Sequence, residues 1–319
     1  MTIRSLPQPR VEAGYAEKKE ARPSVALLDT FEKSDTGTAH GEMVESVLLR
    51  SGPLKDEDVQ RFQNAYRVDR SPQAVVDAPA ATLLQDYGEF VAQAAAVFLK
   101  ATSANLRTIL EENPSIRVIS QSQSQSAGRI VSLVYPGLKD DPGFQARLGQ
   151  ALGLGKEAPL PELVEQLLER AETVLREDPA VAAARREYLH LERQAYERGL
   201  VHVVPAGNLG QFAAEIEQLG ASSSSSTFRS LLANEYTTVV GSTDERGQPA
   251  SFNSPRAGTE VLAPGVGIVW QDGDATGTVD GTSFSVPQVA GRAAGLLRAH
   301  PGWTPFQVES ALTGIESYR

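Results

Sequence analysis

The sequence contains no cysteine, which excludes disulfide bonds, thiolate metal sites and a cysteine nucleophile. Histidine is scarce as well, since only four are present, at positions 40, 190, 202 and 300. No apolar run is long enough for a signal peptide at the start of the chain or for a membrane span later on. We therefore expect a cytoplasmic protein without a membrane partner. A chain from which a signal had been removed, or one secreted by another route, would show the same pattern.

Basic residues are outnumbered, with 30 Lys and Arg against 40 Asp and Glu and a formal net charge of -10. Because binding to phosphate groups requires clustered Lys and Arg, nucleic acid and anionic membranes are not expected as main partners. No Walker-type Gly-Lys-Ser occurs, and the glycine-rich stretch 149–155 lacks the preceding strand that a dinucleotide site needs. A length of 319 residues, with 41% of them hydrophobic, favours one large α/β domain over two smaller ones.

The stretch from Gly281 to Gly291 places one serine, Ser283, directly before an apolar helix. Six small or apolar residues recur at helical spacing and predict a buried helix over about 283–299: Val286, Val289, Ala290, Ala293, Ala294 and Leu297. Free backbone N–H groups and the positive end of the helix dipole lie at a helix N-terminus, where both favour negative charge on a bound carbonyl oxygen. Ser283 is therefore a candidate nucleophile, and an ordinary helix cap is the alternative interpretation.

Two further candidates follow the first predicted strand. The apolar run 24–28 predicts a buried parallel strand that ends at Asp29, and functional side chains gather at the carboxyl ends of such strands. His40 then begins a predicted helix that has three apolar residues on one face. A serine hydroxyl is a poor nucleophile without a base and a third group that orients the base, and Asp29 and His40 are residues of these types. A simple turn former is the alternative interpretation of Asp29.

Two more predicted strands, 116–119 and 200–204, deliver polar residues to the same edge of the sheet. The residues that follow them are Ser122, Gln123 and Ser124 after the first strand, and Gly207 and Asn208 after the second. A polar low-complexity loop and an ordinary Gly-Asn turn are the alternative interpretations.

Together these motifs resemble those of the subtilisin-like serine proteases. The signature of their catalytic serine, Gly-Thr-Ser-x-x-x-Pro-x-Val-Ala-Gly, is matched at every fixed position between Gly281 and Gly291. The residues from His40 to Val44 resemble the family's His-Gly-x-x-Val helix. The one departure in the serine signature is Gln288, where many members carry histidine.

The resemblance implies a fold and a function. The fold would be α/β, with a mainly parallel sheet flanked by helices on both faces and a helical insertion. The function would be that of a serine endopeptidase in which Ser283 is the nucleophile, His40 the general base and Asp29 the group that orients His40. Asn208 would help to stabilise the oxyanion. The substrate-binding residues would be Ser122, Gln123, Ser124 and Gly207. The related sedolisins use Glu in place of the histidine and Asp in place of the asparagine, so His40 and Asn208 argue against that branch.

The spacing between Asp29 and His40 is 11 residues (40 − 29), which is shorter than in most subtilisins. The longer segment of other members contributes to a calcium site, so this spacing gives no support for calcium, and no cofactor is expected. Expected partners are peptide or protein substrates, with an inhibitor protein or the chain's own N-terminal segment as a restraint. The short spacing, and a side chain in the 122–124 stretch where the family usually has glycine, leave a second hypothesis open. In that hypothesis the protein is catalytically silent and keeps the fold to bind peptides.

Residues 1–23 are expected to form an N-terminal extension, and residues 24–319 one peptidase domain with a helical insertion at about 139–186. Periodicity predicts helices at 82–112, 161–178 and 180–198 and a strand at 236–242. By the resemblance to the family, residues 261–265 would belong to its late strands and turns, and a final helix would end near Leu312. The pattern between residues 51 and 81 is weak. It predicts a short helix over 58–66 and a strand over 74–77.

Overall fold

The computed structural model of the protein describes residues 24–32 and 37–314, so the predicted N-terminal extension lies outside the described residues. Its centre is a six-stranded sheet in the order β2-β1-β3-β4-β5-β6, in which every neighbouring pair is parallel. These strands are β1 (Ser24–Asp29), β2 (Val59–Gln63), β3 (Ile116–Gln121), β4 (Val201–Pro205), β5 (Thr237–Thr243) and β6 (Val261–Pro264). An antiparallel hairpin, β7 (Ile268–Asp272) and β8 (Ala275–Val279), forms a separate two-stranded sheet.

The helices connect the strands and cover the sheet. They are α1 (His40–Arg50), α2 (Pro72–Val76), α3 (Leu83–Glu112), α4 (Ala127–Asp140), α5 (Pro142–Ala151), α6 (Leu160–Glu177), α7 (Pro179–Glu197), α8 (Gly210–Gln218), α9 (Thr282–Ala299) and α10 (Pro305–Thr313). No helix within residues 24–32 and 37–314 has the length and apolar character needed to cross a membrane.

Successive side chains of a strand point to opposite faces of the sheet, and helices cover both faces. In β1, Val25 and Leu27 join one apolar cluster, while Ala26 and Leu28 join the other. The first cluster contains the buried residues of α1, α9 and α10, and we call this side the α9 face. The second contains those of α2 to α8, and we call it the α3 face. The structure thus confirms the predicted α/β class, with a parallel sheet and helices on both sides.

The segment predicted as a helical insertion, 139–186, belongs to the core of the α3 face. Its helix α6 buries Leu163, Leu167 and Leu168 in the same cluster as the side chains of α3. The hydroxyl of Tyr87 on α3 also donates a hydrogen bond of 2.8 Å to the carbonyl oxygen of Leu167. Because these contacts are extensive and apolar, α3 and α6 stabilise each other as parts of one core.

Two predictions for the weakly patterned region are wrong. Residues 59–63 form strand β2 at the edge of the sheet, where pairing with β1 outweighs the local helical pattern. Residues 72–76 form helix α2 and not a strand. Its start signals are Pro72 in the first turn and Ser71, whose side chain accepts a hydrogen bond from the N–H of Ala74.

Candidate active site

Asp29 and His40 meet at the carboxyl edge of the sheet. Asp29 is the last residue of β1 and is fully buried, and His40 is the first residue of α1. The Nδ1 atom of His40 lies 2.7 Å from Oδ1 of Asp29, which also accepts a 2.7 Å hydrogen bond from the N–H of Thr30. In the neutral form of this imidazole, a carboxylate acceptor at Nδ1 favours the proton on that atom and leaves Nε2 free to accept a hydrogen bond.

A close backbone contact brings these two residues together. The N–H of Gly41 donates a 2.9 Å hydrogen bond to the carbonyl oxygen of Thr30, which ties the start of α1 to the end of β1. A Cβ atom at position 41 would lie 2.6 Å from the ring of Phe31 and 2.9 Å from this carbonyl oxygen. Only glycine permits this close approach of α1 to the end of β1. The approach brings His40 into contact with Asp29 although the segment between them is short.

Two opposing influences act on the imidazole of His40. Burial lowers its pKa, whereas the hydrogen bond and the negative charge of Asp29 raise it, and the net result is a raised pKa. The side chain of His40 remains 35% exposed. In the described part of the chain, the second carboxylate oxygen of Asp29, Oδ2, is buried without a hydrogen-bond partner.

Ser283 lies in the first turn of α9 and is half-buried. Its hydroxyl donates a 3.0 Å hydrogen bond to the carbonyl oxygen of Ser122, and the Ser122 hydroxyl donates a 2.8 Å bond to the carbonyl oxygen of Ser283. The ring of the next residue, Phe284, lies 5.6 Å from that of His40, centroid to centroid. The first turn of α9, which carries Ser283, therefore lies beside His40. Within the described residues, however, the Ser283 hydroxyl makes no hydrogen bond with His40.

Asn208 follows β4, and its side chain is fixed by Thr282. Its Oδ1 accepts hydrogen bonds of 2.9 Å from both the N–H and the hydroxyl of Thr282. These donors determine which amide atom faces Thr282, so the Nδ2 group points elsewhere and has no acceptor in the described part of the chain. The backbone N–H of Ser283 also lacks an acceptor among those residues, as expected in the first turn of a helix. Two free donors therefore lie near the Ser283 hydroxyl.

The loop that carries Asn208 is held by the loop at 250–254. The N–H of Ser254 donates a 2.9 Å hydrogen bond to the carbonyl oxygen of Gly207, and the Ser254 hydroxyl accepts one of 3.2 Å from the N–H of Leu209. Gly207 has a φ angle of +92°, which favours glycine. A Cβ atom there would also lie 2.8 Å from the Ser254 hydroxyl oxygen. Glycine at this position therefore permits both the turn and the close packing.

A cavity of about 250 Å³ opens beside these groups. Its lining includes five residues that the sequence singled out: Ser122, Ser124, Gly207, Asn208 and Ser283. Gln123 does not line it, and its side-chain oxygen instead accepts a 2.6 Å hydrogen bond from Asn64. Asp29 and His40 also lie outside the lining. A larger groove, of about 1080 Å³, lies between α3 and α6 and contains none of the predicted site residues.

Sequence reasoning missed other residues that line the 250 Å³ cavity: Ser126, Arg129, Phe228, Ser230, Ser254 and Thr282. Two features of the sequence could have indicated some of them. Thr282 is part of the serine signature, and Ser126 occupies the N-cap position of α4, where it accepts a hydrogen bond from the N–H of Arg129. Phe228, Ser230 and Ser254 come from irregular segments that only the folded chain brings here. Among the described residues, no group of three or more His, Asp or Glu side chains is arranged to hold a metal ion.

Comparisons with known proteins find a family similarity over most of the chain. The model of the subtilase family matches residues 70–314, a range that includes Asn208 and Ser283 but neither Asp29 nor His40. Subtilisin amylosacchariticus from Bacillus subtilis subsp. amylosacchariticus and a subtilisin from Bacillus pumilus are each 36% identical over 126 residues, or 39% of this chain. The matched regions span only 30% and 42% of the lengths of these two relatives.

One solved structure, described as the prenylagaramide maturation protease PagA, is 17% identical in sequence, with a TM-score of 0.47. The similarity covers 92% of this chain and 83% of that chain.

Proposed function

Because this chain belongs to the subtilase family, we propose that it is a serine endopeptidase that uses Ser283, His40 and Asp29 as its catalytic triad. One observation carries the proposal: the 2.7 Å contact between His40 and Asp29 beside the Ser283 helix. This contact is independent support, since both residues lie outside the range that the family model matches. The proposed substrates are peptides or proteins.

The first half of the reaction would form an acyl-enzyme. The oxygen of the Ser283 hydroxyl attacks the scissile carbonyl carbon while Nε2 of His40 takes the hydroxyl proton. His40 then gives this proton to the departing amine, and the C–N bond breaks. Asp29 holds the imidazole through Nδ1 and stabilises the imidazolium form, which agrees with the raised pKa of His40.

The second half would hydrolyse the ester. His40 takes a proton from water as the water oxygen attacks the acyl carbon, and then returns a proton to Ser283 as the serine leaves. In both halves the carbonyl oxygen becomes negatively charged. The Nδ2 group of Asn208 and the N–H of Ser283 are the free donors for this oxyanion, and the N-terminus of α9 adds its favourable dipole.

This mechanism requires one local movement. The Ser283 hydroxyl donates to Ser122, so it must rotate about the Cα–Cβ bond into another staggered position to face His40. The same observation favours a second candidate function, a catalytically silent peptide-binding protein whose serine is never activated. The two candidates differ in one property, which is the reactivity of Ser283.

A fluorophosphonate probe measures this reactivity, because it labels only activated serines. We expect the wild-type chain to be labelled and to cleave peptides, and we expect Ser283→Ala and His40→Ala to do neither. Ser251→Ala is a matched control, since Ser251 is exposed and lies outside the cavity lining. Absence of labelling in the folded wild-type chain would favour the silent peptide-binding protein.

Restraint of the activity by residues 1–23 or by a separate inhibitor protein is a further part of this proposal. Deletion of residues 1–20 tests it, because a self-restrained enzyme should gain initial activity when its own segment is removed. An unchanged initial rate would favour a separate inhibitor.

A further inference from the structure

The cavity beside Ser283 is rich in hydrogen-bond donors. Three of its serines are nearly fully buried, and each hydroxyl oxygen already accepts a backbone N–H: Ser126 from Arg129, Ser230 from Leu232 and Ser254 from Leu209. None of these three hydroxyl protons has an acceptor in the described part of the chain. A hydroxyl has one proton to donate, so all three are available to a bound group.

The cavity also has a positive charge at its rim. Arg129 is the one charged residue of its lining among the described residues, and its side chain is exposed. Its guanidinium forms no ion pair within those residues. The electrostatic neighbour that the structure gives it is Tyr66, whose pKa is raised by burial and lowered to a smaller extent by Arg129. The charge of Arg129 is therefore not neutralised by an acidic side chain of the protein.

The position of the cavity determines which part of a substrate enters it. Asn208 and Ser283 supply the two free donors for the scissile carbonyl oxygen, and both residues also line the cavity. The side chain next to that carbonyl belongs to the residue on the N-terminal side of the scissile bond. A volume of about 250 Å³ is below the range of pockets that hold whole drug-sized ligands, so it suits a single side chain.

We propose that this cavity selects an acidic side chain, Asp or Glu, in the residue that precedes the scissile bond, and that Arg129 is the residue that determines this specificity. A carboxylate accepts several hydrogen bonds and donates none, so it matches three free hydroxyls and a guanidinium. A lysine or arginine side chain would bring donors to donors and a positive charge to Arg129. An aromatic side chain would leave the buried hydroxyls without partners.

The inference rests on the proposed endopeptidase function. Two measurements on the full chain distinguish failure of the acidic specificity from failure of the endopeptidase proposal. The first is the kcat/KM of peptides that are identical except for Glu, Gln, Asp, Phe or Lys before the scissile bond. We expect Glu or Asp to exceed Gln by about tenfold, the scale of a charge-assisted hydrogen bond to an exposed arginine at the rim of a cavity. Arg129→Gln should bring the ratio of Glu to Gln close to one, and Arg129→Glu should make Lys the preferred residue.

A matched control is Arg292→Gln, which removes the same charge from an exposed position on α9 outside the cavity lining. We expect this variant to keep the wild-type preference. A loss of preference in Arg292→Gln equal to that in Arg129→Gln would mean that net charge is responsible, and it would overturn the role of Arg129.

The second measurement is of binding and does not require cleavage of a peptide bond. Product peptides that end in Glu or in Gln are titrated calorimetrically into Ser283→Ala and into the same variant with Arg129→Gln. Tighter binding of the Glu peptide that disappears with Arg129 supports the inference, even if no peptide is cleaved and the endopeptidase proposal fails. Cleavage with a preference for Phe, Lys or Gln over Glu would leave the enzyme intact and overturn the acidic specificity. Equal binding of the Glu and Gln peptides would overturn it as well.

Discussion

Among residues 24–32 and 37–314, two histidine–carboxylate pairs share the same contact. His40 with Asp29 and His202 with Glu192 both place Nδ1 2.7 Å from a carboxylate oxygen. The side chains of His202 and Glu192 are each 1% exposed, and in the described residues His202 Nε2 and Glu192 Oε2 have no hydrogen-bond partner. The side chain of His40 is 35% exposed and lies beside the helix of Ser283. A carboxylate at Nδ1 therefore does not by itself make a general base, because Nε2 must also be open to a substrate and near a nucleophile.

Their positions in the fold explain this difference. His40 starts a helix at the carboxyl edge of the sheet, where loops leave space for ligands. His202 lies within β4 and faces Glu192 of α7, so its ring is enclosed by the α3 face. The buried pair is a structural contact, and the edge pair is the proposed catalytic one. Changing one pair at a time tests this contrast.

The largest effect is expected at the edge pair. His40→Ala should lower kcat/KM by about 10⁵–10⁶-fold, because the serine then has no base, while the free energy of unfolding changes little. His202→Ala should do the opposite and retain the kcat/KM of the folded molecules while losing stability. Peptide assays and urea unfolding of both variants test the contrast. If His202→Ala lost as much activity per folded molecule as His40→Ala, the buried pair would have to be part of the mechanism.

The next effect concerns the stability of the buried pair. Glu192→Ala should lower the free energy of unfolding by about 3–5 kcal/mol, since it leaves a buried imidazole without its partner. The double variant Glu192→Leu with His202→Leu should lose much less, because no polar group is left unpaired in the core. Urea unfolding of the single and double variants measures the difference. Equal losses would mean that packing, and not the polar pair, accounts for the destabilisation.

How far the sequence predicts this site depends on how each residue is positioned. Asp29 ends a strongly apolar strand and Asn208 follows another within a few residues, so periodicity puts these two at one edge of the sheet. Ser283 and His40 start amphipathic or apolar helices, and the family resemblance links them to this edge. Their catalytic roles came from the family resemblance and remain proposals. Strand β2 and helix α2 were missed because pairing and capping outweighed a weak local pattern.

Other features of the site depend on contacts between distant segments, which periodicity does not encode. The Ser283 hydroxyl turns towards Ser122, 161 positions earlier in the chain. Ser230 and Ser254 reach the cavity from irregular loops without a helical or strand pattern. The contact between His202 and Glu192 is also not predictable from periodicity, because no local pattern distinguishes a buried histidine that has a partner from one that has none.

A smaller effect is expected at Asn208, which lies at the same edge of the sheet as the His40–Asp29 pair. Asn208→Ala should lower kcat by about 10²–10³-fold and leave substrate binding in place, because the oxyanion keeps only the Ser283 N–H. Asn208 also holds Thr282, so Asn208→Asp is a useful second variant: it keeps an acceptor for Thr282 and loses the donor. If Asn208→Asp were as active as the wild type, the Nδ2 group would have no role in the oxyanion site.

The smallest effect is a change in the titration of His40, measured by NMR in the inactive Ser283→Ala background. Burial lowers the pKa of this imidazole, and the hydrogen bond and charge of Asp29 outweigh that influence. The His40 signal should therefore titrate above the range of a free imidazole. Adding Asp29→Asn should move its pKa downwards, because burial remains while the negative charge is lost.

The raised pKa has two consequences with a defined direction. The neutral base becomes available only as the pH rises through the raised value, so the alkaline side of that value is the active one. The stability contributed by protonated His40 is present below the unfolded-state pKa and is lost as the pH rises through the folded-state pKa. Asp141→Asn is a matched control, since it removes the same charge on the α3 face. A pKa of His40 that is unchanged by Asp29→Asn, or equally changed by Asp141→Asn, would contradict the electrostatic role of Asp29.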